Sequence, residues 1–132
     1  MTINDYQSRA MGTCLPSSFN LPYLSQGFVG EVGELLGKLA KYVRKGKIVV
    51  VNNDLYVIDP KTQKPQPWVE SQELLGEDEL KKLRGELGDC AWFLAVLCQY
   101  LGWSLESICQ ENLDKLASRQ ERNVIIGDGD IR

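Results

Sequence analysis

Two pairs of acidic residues have a spacing that lets both carboxylates of a pair project from one face of a helix. Glu31 and Glu34 form the first pair, and Glu86 and Asp89 form the second. Residues three positions apart lie on the same face of a helix. If the two helices face each other, four carboxylates converge, which is enough to bind one or more Mg²⁺ ions.

Each acidic pair also has a purely structural interpretation. Glu34 and Lys38 are four positions apart, so a solvated helix face with a weak ion pair explains the first pair equally well. Glu86 and Asp89 continue a stripe that becomes apolar at Phe93. An ionised carboxylate is costly to bury unless it is paired or metal-bound, so this pair favours a functional site over a structural salt bridge.

A third polar stripe consists of Asn112, Lys115 and Arg119, which share one face of a helix. Beside a carboxylate–metal cluster, a lysine and an arginine suit a polyphosphate, the lysine as a point charge and the arginine as a bidentate fork. The alternative is an ordinary solvated charged face, which the stripe alone favours. Together with the acidic pairs, the stripe favours phosphate binding.

The sequence contains no histidine. This excludes Ser-His-Asp and Cys-His nucleophiles, zinc sites with histidine ligands, and the Glu-x-x-His di-iron sites of helical bundles. Catalysis would then use carboxylates, lysines, hydroxyls or a metal bound through oxygen, for which Mg²⁺ or Mn²⁺ is the natural choice.

Length and composition predict one globular domain, residues 1–132, because 132 residues with 43% hydrophobic content suffice for a core. The net charge of −3 argues against nucleic-acid binding. No apolar run approaches a membrane span and no signal peptide follows Met1, so we expect no membrane partner and a cytoplasmic location. The four cysteines lack C-x-x-C spacing, and we expect reduced core thiols.

Periodicity and capping residues predict four main helices, at residues 2–13, 20–45, 77–101 and 104–122. The second helix has one apolar stripe, composed of Phe28, Val32, Leu35, Leu36, Leu39, Tyr42 and Val43. Its glycines, which are Gly27, Gly30, Gly33 and Gly37, suggest a close approach to the backbone. Residues 90–97 are apolar all round, which predicts a buried central helix.

The segment between the second and third helices breaks the helical pattern. Two apolar runs flank Asn52-Asn53-Asp54, which predicts a β-hairpin at residues 47–58, followed by a proline-containing loop. We interpret residues 47–70 as an insertion that packs on the helices or on another subunit. Residues 123–132 form a glycine-rich tail. The expected fold is all-α, a four-to-five-helix bundle with a small β-hairpin.

Three strings, GFVGEVGELLGKLAK, RGELGDCAWFLAVL and ENLDKLASRQERN, resemble the MazG-like all-α nucleoside triphosphate pyrophosphohydrolases. The family signature is E-x-x-E, then E-x-x-D, then N-x-x-K-L-x-x-R. Its positions here are Glu31, Glu34, Glu86, Asp89, Asn112, Lys115 and Arg119. The resemblance covers residues 21–46 and 77–132, and the tail GDGDIR is similar to that of short members from phages and mobile elements.

This resemblance implies hydrolysis of a nucleoside triphosphate, expected to be a dNTP, to a monophosphate and pyrophosphate, as nucleotide-pool house-cleaning. It implies a helical bundle in a homodimer or homotetramer, with the four acids as Mg²⁺ ligands, one of which doubles as general base. A metal-activated water would attack the α-phosphorus. Lys115 and Arg119 would bind phosphates, and Asn112 the sugar or a phosphate.

Two alternatives stay open at this point. One is a helical oligomerisation or regulatory module that binds nucleotide without hydrolysing it, and the other is a phosphoribosyl-ATP pyrophosphohydrolase. The long insertion and the ending Ile131-Arg132, where the family more usually has asparagine, depart from the pattern. Three further residues, Tyr23, Gln26 and Trp92, are candidates for a base pocket, although aromatic residues at helical spacing more often belong to the core.

Overall fold

The structure, a computed structural model, describes residues 1–123. Five α-helices account for most of this range, as expected for the all-α class. They are α1 (Ile3–Gly12), α2 (Leu21–Arg44), α3 (Trp68–Ser71), α4 (Glu77–Tyr100) and α5 (Leu105–Glu121). Short 3₁₀ helices occur at Pro16–Ser18 and Gln72–Leu75. The four predicted main helices are confirmed, and the predicted tail, apart from Asn123, lies outside the described residues.

Local capping interactions explain where the helices begin and end. At the start of α1, the Thr2 hydroxyl accepts a hydrogen bond from the Asp5 amide, and the Asp5 carboxylate accepts one from the Thr2 amide at 2.9 Å. The Ser104 hydroxyl caps α5 by accepting from the Ser107 amide at 3.3 Å. Gly46, with a φ of +69°, ends α2 in the left-handed conformation.

The segment after α2 forms a three-stranded antiparallel sheet of order β1-β2-β3, with β1 (Ile48–Val51), β2 (Asp54–Ile58) and β3 (Pro65–Pro67). Asn52 and Asn53 have φ of +51° and +67°, the geometry of a type I′ turn, so the predicted hairpin is confirmed. The prolines of β3 led us to predict a loop there. That prediction was wrong because an edge strand tolerates prolines.

The chain divides into two compact units, one formed by Met1–Leu24 with the chain from Leu94 onward, the other by Ser25–Phe93. In the first unit, the buried side chain of Gln7 joins α1 to the start of α5. Its amide nitrogen donates to the Trp103 carbonyl at 2.9 Å, and its oxygen accepts from the Leu105 amide at 2.8 Å. Gln7 therefore satisfies backbone groups at the N-terminus of α5.

The second unit has its core where α2, the sheet and the start of α4 meet. Its buried residues are Tyr42, Ile48, Val57, Leu75, Leu80 and Leu83. Tyr42 also donates a hydrogen bond from its hydroxyl to Glu79 at 2.7 Å. The insertion therefore packs on the helices, which was one of the two predicted arrangements.

Several side chains of the predicted apolar stripe on α2 and of the apolar segment of α4 are exposed. On α2, Val32 is 37% exposed, Leu36 58% and Val43 50%, whereas Tyr42 is buried. On α4, Leu94 is 38% exposed although Phe93, Ala95 and Val96 are buried. The prediction of all-round burial for residues 90–97 was therefore wrong, because the described chain covers only part of this helical surface.

The glycines of α2 differ in their surroundings. A Cβ built on Gly27 would lie 2.2 Å from the Phe93 ring, so the predicted close approach occurs at this position. Cβ atoms on Gly30, Gly33 and Gly37 would meet nothing within 4 Å. The four cysteines are unpaired, as predicted, but only Cys98 is buried in the core, whereas Cys14, Cys90 and Cys109 are half-buried. Among the described residues, no helix is both long and apolar enough to cross a membrane.

Candidate functional site

Within the second unit, α2 and α4 bring three of the predicted acidic residues together. Oxygen atoms from the carboxylates of Glu31, Glu86 and Asp89 all lie within 4.8 Å of one another. The contact of Gly27 with Phe93 lies one helical turn away, because Gly27 precedes Glu31 by four residues and Phe93 follows Asp89 by four. The missing Cβ of Gly27 therefore lets the two helices approach beside the acids.

The fourth predicted acid, Glu34, stands outside this group of three. It is exposed, one turn along α2 from Glu31. Its negative charge nevertheless acts on the group, since it is one of the causes that raise the pKa of Glu31. The structure thus gathers three of the four acids and leaves Glu34 beside them.

Lys38 forms an ion pair and hydrogen bond with Glu86 across the two helices. The structural interpretation of the first acidic pair makes Lys38 the partner of Glu34. In the structure Lys38 reaches across to the more buried Glu86, and the charge of Glu34 is a lesser cause that raises the pKa of Lys38. The hydrogen bond to Glu86 is the main cause that raises the pKa of Lys38. A lysine cation therefore neutralises part of the acidic group.

The acids of the group differ in how readily they ionise. Burial raises the pKa of Glu31, and the charges of Glu34, Asp89 and Glu86 raise it further. The hydrogen bond from Lys38 lowers the pKa of Glu86, against the effect of burial. The arrangement thus favours an ionised Glu86 held by Lys38 and a Glu31 that retains its proton more readily than an ordinary glutamate.

Burial within the second acidic pair differs from our expectation. Glu86 is 9% exposed, whereas Asp89, which leads into the apolar segment, is exposed. Glu86, and not Asp89, is therefore the acid whose burial favours a functional site. Asp89 lies at the open side of the group, where a ligand from solvent can reach it.

The group is chemically suited to a hard divalent cation. Carboxylate oxygens are the ligands that Mg²⁺ and Mn²⁺ prefer, and a shared cation offsets the repulsion between clustered carboxylates. Cys90 lies close by, but burial, followed by the charge of Glu31, raises the pKa of its thiol and keeps it protonated. The residues present therefore fit an oxygen-bound metal.

The predicted phosphate-binding residues lie on α5, in the first unit. Asn112 and Lys115 are exposed, whereas Arg119 is only 4% exposed. The solvated-face alternative is therefore wrong for Arg119 and still available for the other two. Their role as substrate ligands stays a prediction.

The residues considered for a base pocket are also placed differently. Tyr23 is 46% exposed on α2, and Gln26 is exposed as well. Trp92 is partly buried and packs edge-on against Phe93, with ring centroids 5.0 Å apart. Trp92 thus supports the helix contact beside the acids, and a role in base recognition stays a prediction for all three.

Lys38 was not among the residues predicted for the site. A signal was present, because Glu31, Glu34 and Lys38 follow the same i, i+3, i+7 spacing as the stripe on α5. Helical spacing shows that Lys38 shares the acidic face, but it cannot show which carboxylate on another helix the lysine contacts.

Comparison with known proteins agrees with this geometry. The family model described as the MazG nucleotide pyrophosphohydrolase domain matches residues 20–124. The "Gene 37 protein" of Mycobacterium phage L5 is 32% identical over 141 residues and aligns over the full length of both chains. No solved structure matches. The family match spans both acidic pairs and the stripe on α5, and the chain therefore belongs to the MazG nucleotide pyrophosphohydrolase family.

Proposed function

We propose that this chain hydrolyses nucleoside triphosphates, with dNTPs as the expected substrates, to nucleoside monophosphate and pyrophosphate in a Mg²⁺-dependent reaction that removes unwanted nucleotides. The observation that carries the proposal is the group of Glu31, Glu86 and Asp89, whose carboxylate oxygens lie within 4.8 Å of one another. Family membership supports the reaction class.

In this proposal the metal ligands are Glu31, Glu86 and Asp89, with Glu34 completing the set. A bound Mg²⁺, or Mn²⁺ in its place, would neutralise phosphate charge and make water more acidic. Because Glu31 has a raised pKa and a metal binds its ionised form, metal binding at this residue should strengthen as pH rises. The hydrogen bond from Lys38 favours the ionised form of Glu86.

Glu34 is the acid best placed to act on the attacking water. Its exposed carboxylate completes the ligand set from outside the group of three, and we assign it a second role as acceptor of the water proton. This assignment predicts that Glu34→Gln reduces turnover more than it reduces metal binding.

Substrate binding is assigned to α5, where Lys115 and Arg119 would bind phosphate oxygens and Asn112 the sugar or a phosphate. Lys115 is exposed and Arg119 is buried, and a lysine suits phosphate as a point charge whereas an arginine suits it as a bidentate fork. The proposal includes a homodimer or homotetramer. Support comes from exposed apolar residues on α2, where Val29 is 71% exposed and Leu36 58%. It also includes a cytoplasmic location, where nucleotide pools are found.

The test is a panel of amide variants assayed with dNTPs and Mg²⁺. We expect Asp89→Asn and Glu34→Gln to lower kcat by at least about 100-fold, since each removes a group that acts on the reacting phosphate or water. Asp78→Asn, an exposed acid of α4 outside the group, is the matched control and should keep full activity. Full activity in both site variants, with normal folding by circular dichroism, would contradict the site assignment.

The same preparation separates hydrolysis from the binding-module alternative. A binding module would hold nucleotide, measured by calorimetry, without turning over any of the eight common NTPs and dNTPs in Mg²⁺ or Mn²⁺. Turnover that depends on the metal and on Asp89 would support the proposal and exclude that alternative.

A further inference from the structure

The two edge strands of the insertion's sheet differ in whether they can pair with a further strand. In the order β1-β2-β3, β1 and β3 are the edge strands. Pro65 and Pro67 occupy two of the three positions of β3, and proline has no backbone N–H to donate. The β3 edge is therefore protected against further strand pairing, whereas β1, with the sequence IVVV, contains neither proline nor charge.

The hydrogen bonds of the hairpin fix which backbone groups of β1 face outward. The Ile58 amide donates to the Lys47 carbonyl at 2.9 Å, which marks this as a bonded pair. Bonded pairs alternate along an antiparallel ladder, so Val49–Tyr56 and Val51–Asp54 are the next ones. Ile48 and Val50 therefore direct their N–H and C=O groups away from β2.

These outward groups make β1 self-complementary. We propose that β1 pairs antiparallel with β1 of a second copy of this chain, joining two three-stranded sheets into one. The register that uses every outward group places Ile48 opposite Val50 of the second copy, and Val50 opposite Ile48, with the two-fold axis at Val49. Any other bonded register leaves some of these groups unused.

The side chains and charges of β1 agree with this pairing. Val50 is 59% exposed and Val51 43%, although both are β-branched residues that pack well in a sheet. The exposed Lys45 precedes the strand and Asp54 follows its turn, whereas Lys47 already lies 3.9 Å from Glu79 of its own chain. Antiparallel pairing brings the basic end of each strand beside the acidic end of the other, whereas parallel pairing would bring like charges together.

Cysteine cross-linking tests the register directly. Val49 would face its own counterpart in a non-bonded pair, with Cα atoms about 4.5 Å apart, within the range for a disulfide. Val51 lies on the same face of β1, but its counterpart would be about 13 Å away, too far for a disulfide. We expect Val49→Cys to give at least about ten-fold more disulfide-linked dimer than Val51→Cys under mild oxidation. Wild type, with its four free cysteines, measures the background.

A backbone variant tests the hydrogen bonds separately. Val50→Pro removes an outward N–H without removing a bond within the hairpin, whereas Val50→Thr keeps it. Because a strand-edge interface is small, self-association is measured by sedimentation up to about 100 μM protein. We expect Val50→Pro to weaken it at least about ten-fold and Val50→Thr to leave it within about two-fold. Circular dichroism checks that both variants are folded.

Three outcomes would overturn the proposal. The first is equal cross-linking of the two cysteine variants, and the second is unchanged self-association of a folded Val50→Pro. The third is a monomer whose Ile48 and Val50 amides are protected from hydrogen exchange until residues 124–132 are deleted, since the chain's own C-terminal segment would then occupy this edge.

Discussion

Lys38 on α2 and Glu86 on α4 form an ion pair inside the acidic group that we assign to metal binding. Glu86 is 9% exposed, and the hydrogen bond from Lys38 is the main cause that lowers its pKa. Lys38 therefore acts as a built-in counter-ion for the most buried carboxylate of the group. A divalent cation that binds Glu86 competes with this lysine for the same oxygen atoms.

This competition predicts that Lys38→Met lowers the melting temperature without metal and increases the stabilisation that Mg²⁺ provides. In EDTA the variant should unfold at a temperature several degrees below wild type, because Glu86 loses its counter-ion. With saturating Mg²⁺ its melting temperature should rise more than that of wild type. Thermal unfolding measures both, with Lys41→Met as the control at an exposed lysine of the same helix. If Mg²⁺ raises the melting temperature of Lys38→Met no more than that of wild type, Lys38 and the metal do not compete for Glu86.

The raised pKa of Glu31 predicts how the metal-free protein responds to pH. A carboxyl group with a raised pKa favours the fold when protonated, so its contribution is present at low pH and is lost as pH rises through that pKa. Glu31→Gln mimics the protonated form at every pH. In EDTA, the variant should match wild type near pH 4 and melt at a higher temperature near pH 8. With Mg²⁺ added at pH 8, wild type should instead melt at a higher temperature than Glu31→Gln. A difference in melting temperature that stays constant across this pH range would argue against a raised pKa of Glu31.

The contact between Gly27 and Phe93 predicts that alanine substitutions at two glycines of α2 change the free energy of unfolding in opposite directions. Gly27→Ala places a Cβ 2.2 Å from the ring and should lower the free energy of unfolding by about 1–3 kcal/mol, because the buried ring must move. Gly30→Ala meets nothing within 4 Å and should raise it by about 0.5–1 kcal/mol through helix propensity. Urea denaturation measures both. Stabilisation by Gly27→Ala would show that the two helices do not approach as described.

Tyr42 gives a second pH-dependent prediction, at alkaline pH. Burial, followed by the hydrogen bond to Glu79, raises the pKa of Tyr42 to about 12. Its contribution to stability is therefore complete below pH 10 and is lost as pH rises towards 12. We expect wild type to be more stable than Tyr42→Phe at pH 8, by about 1 kcal/mol. Between pH 10 and 12 this advantage should disappear and then reverse, with an accumulated change on the order of 2 kcal/mol. A constant difference across that range would contradict the raised pKa.

Features set by neighbours in the sequence were predictable. Thr2, Ser104 and Gly46 mark helix ends because caps and left-handed stops involve only a few adjacent residues. The Asn52-Asn53 turn predicts its hairpin for the same reason. The acids were found by helical spacing, which is also a local property.

Features that depend on which elements meet were not predictable. The partner of Lys38 is decided by the approach of α4, and nothing near Lys38 in the sequence distinguishes Glu86 from Glu34. The apolar pattern of α2 likewise does not separate Tyr42, which is buried, from Leu36, which is exposed. Periodicity identifies an apolar face but not how much of that face the same chain covers.

The central claim is that this acidic group supports the release of pyrophosphate from a nucleoside triphosphate. The most direct measurement is product analysis, by chromatography, of each common NTP and dNTP incubated with the protein and Mg²⁺. We expect nucleoside monophosphate and pyrophosphate in equal amounts, and neither product with Asp89→Asn. Formation of diphosphate and inorganic phosphate, or no product from any nucleotide, would contradict the account.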